Sequence, residues 1–238
     1  MRLGQTLLIS GGIAACLYSP AVQANLISNG SFETPLVANG VNCFGLTGCE
    51  GFAVGAALGA WTVVGISTTV NAILLLNNNY TENGGQLHFS AEDGQQSVDL
   101  TGAFNQGRNG VEQTITTTPG TSYNLTFWVG NQDNSQPGYG LPSTVELDVN
   151  GALVANYSNS DNTPNNLNWK QFSYNFAASS ALTKIDFFNA TPIADNEAGL
   201  DNVDLEVAGA IVPEPASAVL LGTGLILLGV TRRRRKPI

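Results

Sequence analysis

The chain is poor in the side chains that most often do chemistry. It has a single histidine, His88, and three cysteines, Cys16, Cys43 and Cys49. A closed zinc site needs Cys and His ligands grouped together, and these residues do not supply one. A Ser-His-Asp triad would have to use His88, which lies in Leu87-His88-Phe89-Ser90, a strand-like context without a nucleophile elbow. Charge is scarce as well. Only 11% of residues are charged, where ~25% is usual for soluble proteins. Of nine Lys and Arg, Arg2 and the run Arg232, Arg233, Arg234, Arg235, Lys236 sit in the end segments. Arg108, Lys170 and Lys184 are left for the middle, against most of the eighteen Asp and Glu. An acidic middle argues against nucleic acid or anionic lipid as partner, and it leaves divalent cations and neutral polysaccharides. The Gly84-Gly85 stretch lacks the lysine of a phosphate-binding loop. Long helical periods and internal repeats are also missing.

What is present begins with the two ends. Arg2 followed by the apolar stretch Leu7 to Leu17, with Val22-Gln23-Ala24 behind it, has the layout of a secretory signal peptide over residues 1–24. Cleavage is expected between Ala24 and Asn25. Ile13-Ala14-Ala15-Cys16 loosely matches a lipid-attachment box, but the apolar run continues past Cys16. At the other end, Pro213-Glu214-Pro215 precedes an apolar stretch, 216–231, and then the basic cluster 232–236. An apolar segment closed by cations is a stop-transfer signal. It is shorter than the ~20 residues of a comfortable span. Gly222, Gly224 and Gly229 weaken it further as a helix. Such a segment suits a transient membrane stop.

Between the ends, residues 25–210 alternate with period two. Tyr123, Leu125, Phe127 and Val129 interleave with Asn124, Thr126 and Trp128; Val145, Leu147 and Val149 with Glu146 and Asp148; Phe172, Tyr174 and Phe176 with Ser173 and Asn175. This period places one face of a strand in a core and the other in solvent. Asn109-Gly110, Pro119-Gly120, Pro137-Gly138 and Asn150-Gly151 punctuate the runs, and Asn150-Gly151 reads as a tight hairpin. The pattern predicts an all-β sandwich. In an oxidising compartment Cys43 and Cys49, six apart in a Gly-rich loop, would pair. The surrounding stretch, 39–59, is open to two readings: a binding loop braced by that bridge, or a tolerated insertion.

The tail closely resembles the PEP-CTERM sorting signal of exopolysaccharide-producing Gram-negative bacteria, in which a Pro-Glu-Pro motif precedes a membrane helix and an Arg-rich end. The resemblance implies that signal peptidase and an exosortase act on the protein during export. It implies that Glu214 is read by the exosortase, and that the product reaches the cell surface or extracellular matrix through an inner-membrane intermediate. The middle is similar to galactose-binding-like jelly rolls, among them carbohydrate-binding modules, the DUF642 group and the choice-of-anchor surface proteins. The residues that carry this are Asn25-Leu26-Ile27-Ser28-Asn29-Gly30-Ser31-Phe32-Glu33, Trp61, the stretches 93–100, 110–115 and 118–127, and Gly199-Leu200-Asp201-Asn202-Val203-Asp204-Leu205. The resemblance implies a jelly-roll β-sandwich. It also implies that Glu33 and Asp201 ligate a structural calcium tying the first strand to the last, with backbone carbonyls completing the shell. Sugar-binding modules of this kind stack aromatic rings on pyranoses. Trp128, on the outward parity of its strand, is the expected ligand contact, with Tyr80 and Tyr139 further candidates in loops; Trp61 and Trp169 are expected in the core. The expectation is a non-catalytic exported protein associated with exopolysaccharide or cell-wall glycans, as in a biofilm matrix. The rival expectations are a structural surface protein without a specific ligand and a secreted glycan hydrolase, whose paired carboxylates the sequence leaves open.

Overall fold

The computed structural model describes residues 24–40, 42–132, 139, 142–192 and 197–209. The signal segment, the Pro213-Glu214-Pro215 motif, the apolar stretch 216–231 and the cluster 232–236 lie outside the described residues. The described chain forms sixteen strands: β1 (Asn42–Cys43), β2 (Leu46–Thr47), β3 (Cys49–Phe52), β4 (Ala57–Leu58), β5 (Trp61–Gly65), β6 (Ile73–Asn77), β7 (Thr81–Glu82), β8 (Leu87–His88), β9 (Gln96–Asp99), β10 (Asn109–Thr116), β11 (Ser122–Asn131), β12 (Ser143–Val149), β13 (Ala152–Asn159), β14 (Asn168–Ala177), β15 (Leu182–Asn189) and β16 (Gly199–Val207). No helix occurs among the described residues. Two antiparallel six-stranded sheets result, one in the order β14-β11-β16-β9-β6-β3 and the other β13-β12-β15-β10-β5-β4. From β9 to β12, and again from β13 to β16, consecutive strands cross between the sheets, as in a jelly roll.

The alternation fills the space between the sheets. Tyr123, Leu125, Phe127 and Val129 of β11 are buried, as are Val145 and Leu147 of β12. Phe127 meets Phe187 edge-on at 4.8 Å between centroids, and Tyr157 at 5.0 Å. Such pairs add about 0.5–1.5 kcal/mol each beyond the area they bury. Phe172, Tyr174 and Phe176 are only half-buried, because β14 is the edge strand of its sheet. The Asn150-Gly151 hairpin forms as expected: both residues have positive φ, 55° and 76°, and join β12 to β13.

The N-terminal motif closes the sandwich. Asn25 donates from its side-chain amide to Val203 O at 2.9 Å and accepts from Leu205 N at 3.0 Å, stitching the chain start to β16. A Cβ on Gly30 would lie 2.0 Å from Val203 O, so only glycine fits there. Phe32 stacks on Trp61 at 5.4 Å, and Trp61 Nε1 donates to Asn29 O.

Two strands, β6 and β9, depart from the one-face rule. All five residues of β6 are buried. Ile73 and Leu75 face the main core. Leu74 and Leu76 face the other way, into a second cluster with Cys43, Cys49, Tyr80, Leu87, Phe89, Tyr139 and Leu167. Small hairpins, β1–β2 and β7–β8, accompany this cluster, so β6 has a covered outer face.

Candidate functional site

The second cluster encloses a cavity of about 230 Å³. Its apolar lining comes from Leu74 and Leu76 of β6, Leu46 of β2, and Ala103, Phe104 and Phe44 around them. Its polar groups are Glu82, Asp99, Glu197, Tyr80, Tyr139 and Thr101. These residues are far apart in the chain and are assembled by the sheet. Asp99 ends β9, paired across to Leu74 on one side and Gly199 on the other. Parity puts Val98 in the main core and Asp99 outward. Glu82 sits on β7, and Glu197 lies two residues before β16. The segment after β9 turns back sharply at Gly102 (φ +59°), where a Cβ would strike the carbonyl oxygens of Asn71 and Ala72 at 2.5 and 2.4 Å. That turn aims Thr101, Ala103 and Phe104 at the cavity.

Hydrogen bonds distinguish the three acids. Tyr80 Oη donates to Glu82 Oε1 at 2.5 Å and Tyr139 Oη to Glu82 Oε2 at 2.6 Å, so both Glu82 oxygens act as acceptors. Asp99 accepts through Oδ1 from Thr101 N (2.8 Å) and Thr101 Oγ1 (2.5 Å). Its burial nevertheless pushes its pKa up to about 7. Glu197 is buried, 4% exposed, and its Oε1 has no hydrogen-bond partner. Burial first, and then the Asp99 and Glu82 charges, hold its carboxyl well above the usual range. Burial and Glu82 likewise raise both tyrosines. None of the described residues lining the cavity is a cation. Arg108 is spent on Glu146 and Asp148, Lys184 on Glu112 and Asp186, and Lys170 on Asp161. Buried acids set close together without a countercharge hold their protons to higher pH than exposed ones. Glu197 therefore contributes to the cavity lining a buried carboxyl that holds its proton more tightly than an exposed one.

The residues singled out from the sequence fall elsewhere, with two exceptions. Tyr80 and Tyr139 do line the cavity, but as buried donors to Glu82 rather than as exposed stacking platforms. Cys43 and Cys49 are disulfide-bonded with Cα atoms 5.6 Å apart, and their loop forms part of the cavity wall. Trp128 is half-buried, paired in register with Asp201 and Gln171, and does not line the cavity. Trp61 is a core residue as expected, and Trp169, half-buried, donates from Nε1 to Ser90 O. His88 is exposed on β8.

Glu33 and Asp201 converge on one turn. Glu33 Oε1 accepts from the amides of Gln95 and Gln96 at 2.7 and 2.9 Å. Asp201 Oδ2 accepts from those of Glu92 and Asp93 at 2.9 and 3.0 Å. Asp201 is fully buried, and that desolvation raises its pKa to about 8. Among the described residues no group of three or more Asp, Glu, His or Cys is arranged to hold a metal ion.

Glu82, Asp99 and Glu197 had escaped sequence reasoning. The one signal that could have found them was the unbroken run Ile73-Leu74-Leu75-Leu76, which announces a strand covered on both faces.

Comparison with known proteins places the chain. No curated protein matches it. Among solved structures it is similar to TmCBM61 in complex with β-1,4-galactotriose, at 15% identity over 77% of this chain and 99% of that one, TM-score 0.46. It is similar to a family 35 carbohydrate-binding module from Clostridium thermocellum, at 14% identity over 62% and 92%, TM-score 0.39. A third is the K1 cleaved adhesin domain of Lys-gingipain from Porphyromonas gingivalis, at 14% identity over 68% and 98%, TM-score 0.43. The HpiC1-like family model, described as HpiC1 cyclase, matches residues 23–206. The chain belongs to the HpiC1-like family.

Proposed function

We propose that the sandwich binds a small, largely apolar molecule in the acid-lined cavity and catalyses its rearrangement or ring closure by proton transfer from Glu197. One observation carries this reading: a buried carboxyl with an unpartnered oxygen belongs to the lining of a cavity that also holds apolar side chains and a second acid of raised pKa, Asp99. A neutral carboxylic acid kept from water donates a proton to a substrate atom and recovers it from the cation that forms. Glu82, fixed by two phenols, places oriented oxygen dipoles beside that cation. The cyclase description of the family supports the assignment. Neither the single histidine nor a metal is needed for this chemistry.

A second reading has its own support. The exposed rings of Phe44 and Phe104 stand at the mouth of a cavity whose base is rich in carboxyl and phenol groups. That combination also suits the end of a glycan chain, stacked on a ring and hydrogen-bonded below. In either case the Pro213-Glu214-Pro215 tail supports export and exosortase sorting to the surface or matrix.

The test is to incubate the purified protein in D2O with a panel of unsaturated apolar compounds and of oligosaccharides. Deuterated or rearranged product with wild type, absent with Glu197→Gln, supports catalysis. Saturation-transfer signals from oligosaccharides alone, equal in both proteins and without turnover, would establish the glycan reading instead.

A further inference from the structure

The cavity wall has an unusual mechanical support. Phe44 reaches the cavity from the tip of the β1–β2 hairpin and Leu46 from β2; the two strands pair through only two residue pairs, Asn42 with Thr47 and Cys43 with Leu46. A two-stranded hairpin of this size has no independent stability in water. Its tip, Phe44-Gly45, holds both residues at positive φ, 57° and 80°. That conformation is unfavourable for a phenylalanine. Phe44 is also half-exposed, and the ring it meets at 5.8 Å, Phe104, is itself exposed. Burial of Phe44 therefore contributes little to holding the hairpin down.

Cys43 and Leu46 pack against the second cluster, and the remaining tie to the sandwich is covalent. Cys43 on β1 is bonded to Cys49 at the start of β3. Cys49 is fully buried and paired with Leu76 of β6, the strand that supplies the opposite cavity wall. Gly48, just before it, accepts from Asn77 N through its carbonyl at 2.8 Å. The bridge thus fastens the weakest wall element to one of the best-buried strands.

We propose that the Cys43–Cys49 disulfide is a redox-dependent latch for the cavity: oxidised, it holds Phe44 and Leu46 as a wall over Tyr80, Tyr139 and Glu197; reduced, it releases that wall while the sandwich stays folded. The site is complete only in an oxidising compartment, and a thiol reductant switches it off. In the reaction the disulfide takes up two electrons and two protons and leaves two thiols: a dithiol supplies both and becomes a disulfide, whereas a phosphine supplies the electrons and water the protons, the phosphine becoming its oxide. The consequence for ligand binding rests on the proposed function, whereas the movement of the wall does not.

Acetylation of tyrosine hydroxyls by N-acetylimidazole, mapped by mass spectrometry, reads the wall directly and needs no ligand. Tyr80 and Tyr139 are 2% and 6% exposed, and Tyr123, 3% exposed in the main core, is the internal control. Reduction with a phosphine, or the Cys43→Ser/Cys49→Ser double variant, is expected to speed acetylation of Tyr80 and Tyr139 at least tenfold and leave Tyr123 unchanged. Phe44→Ala with the bridge intact should give a smaller rise. Equal rates at Tyr80 and Tyr139 in oxidised and reduced protein overturn the proposal. A rise that includes Tyr123 also overturns it, because the bridge is then a staple of the whole fold.

Discussion

Asp99→Asn should make the protein more stable at neutral pH, although it removes a buried charged residue type. Every hydrogen bond that Asp99 accepts arrives at Oδ1, from Thr101 N, Thr101 Oγ1 and, at 3.4 Å, Ala198 N. An asparagine oxygen accepts the same set, and its NH2 stands where protonated Asp99 carries its proton. The two side chains differ only when Asp99 must ionise. Its pKa rises from 3.8 to about 7 on folding, chiefly through desolvation. Because the folded-state value lies above the unfolded one, the folded protein holds the proton more tightly. The stability this confers is complete below pH 4 and is lost as pH climbs through about 7. At about 1.36 kcal/mol per pH unit, the shift corresponds to on the order of 4 kcal/mol by pH 8. The variant is spared that loss.

Urea midpoints measured from pH 4 to pH 8, with m unchanged, give the difference curve. It should be near zero at pH 4 and favour Asp99→Asn increasingly towards pH 8. In a thermal scan at pH 8 the variant should melt several degrees higher, at roughly 2–4 °C per kcal/mol for a domain of this size. A difference curve flat in pH, or a variant less stable at pH 8, would falsify the account of Asp99 as a buried, proton-holding acid.

Three other outcomes are expected. Gly30→Ala drives a Cβ to 2.0 Å from Val203 O and should detach the N-terminal segment from β16 at a cost of about 1–3 kcal/mol in the urea midpoint; an unchanged midpoint refutes the close approach. The calcium that the resemblance implies is proposed at the Glu92–Gln96 turn, where Glu33 and Asp201 meet. Millimolar calcium should then raise the melting temperature of wild type but not of Asp201→Asn, and superposed curves in calcium and in EDTA refute it. Intact-mass analysis of the extracellular fraction should give a chain running from Asn25 to near Pro213, with Glu214→Ala retained uncleaved in the membrane; a mass that keeps 216–238 in both proteins refutes sorting.

The parts of the molecule legible from sequence were those set by neighbours in the chain. Alternation marked β11 and β12 because each buries one face, and Asn150-Gly151 marked its hairpin because the turn needs two positive φ values. The cystine was legible because its partners lie six residues apart and only one other cysteine exists. The motif Asn29-Gly30-Ser31-Phe32 was legible only through its resemblance to galactose-binding-like jelly rolls, and the structure supplies a reason for its glycine, which passes close to β16. The cavity had no such local rule. Residues 82, 99 and 197 meet only after β9 is placed between β6 and β16, and an outward-pointing aspartate at a strand end looks in sequence like any solvated carboxylate.

What turns those ordinary acids into a candidate site is a covering that the sequence advertised only indirectly. A jelly-roll sheet normally buries one face, and an acid on the other stays wet and ionised. Here the loops between β6 and β9, the β1–β2 hairpin and Tyr139 cover the outer face over Leu74 and Leu76. The same covering that buries the leucines buries Asp99 and Glu197, and among the described residues no cation lines the cavity, Arg108, Lys170 and Lys184 being engaged elsewhere. Desolvation without a countercharge is costly, so a fold under no functional constraint would place Leu or Gln at these positions. Retaining two proton-holding acids against that cost is the strongest argument that the cavity is a working site, and the stability gain expected for Asp99→Asn at pH 8 is a direct measure of what the fold gives up to keep it.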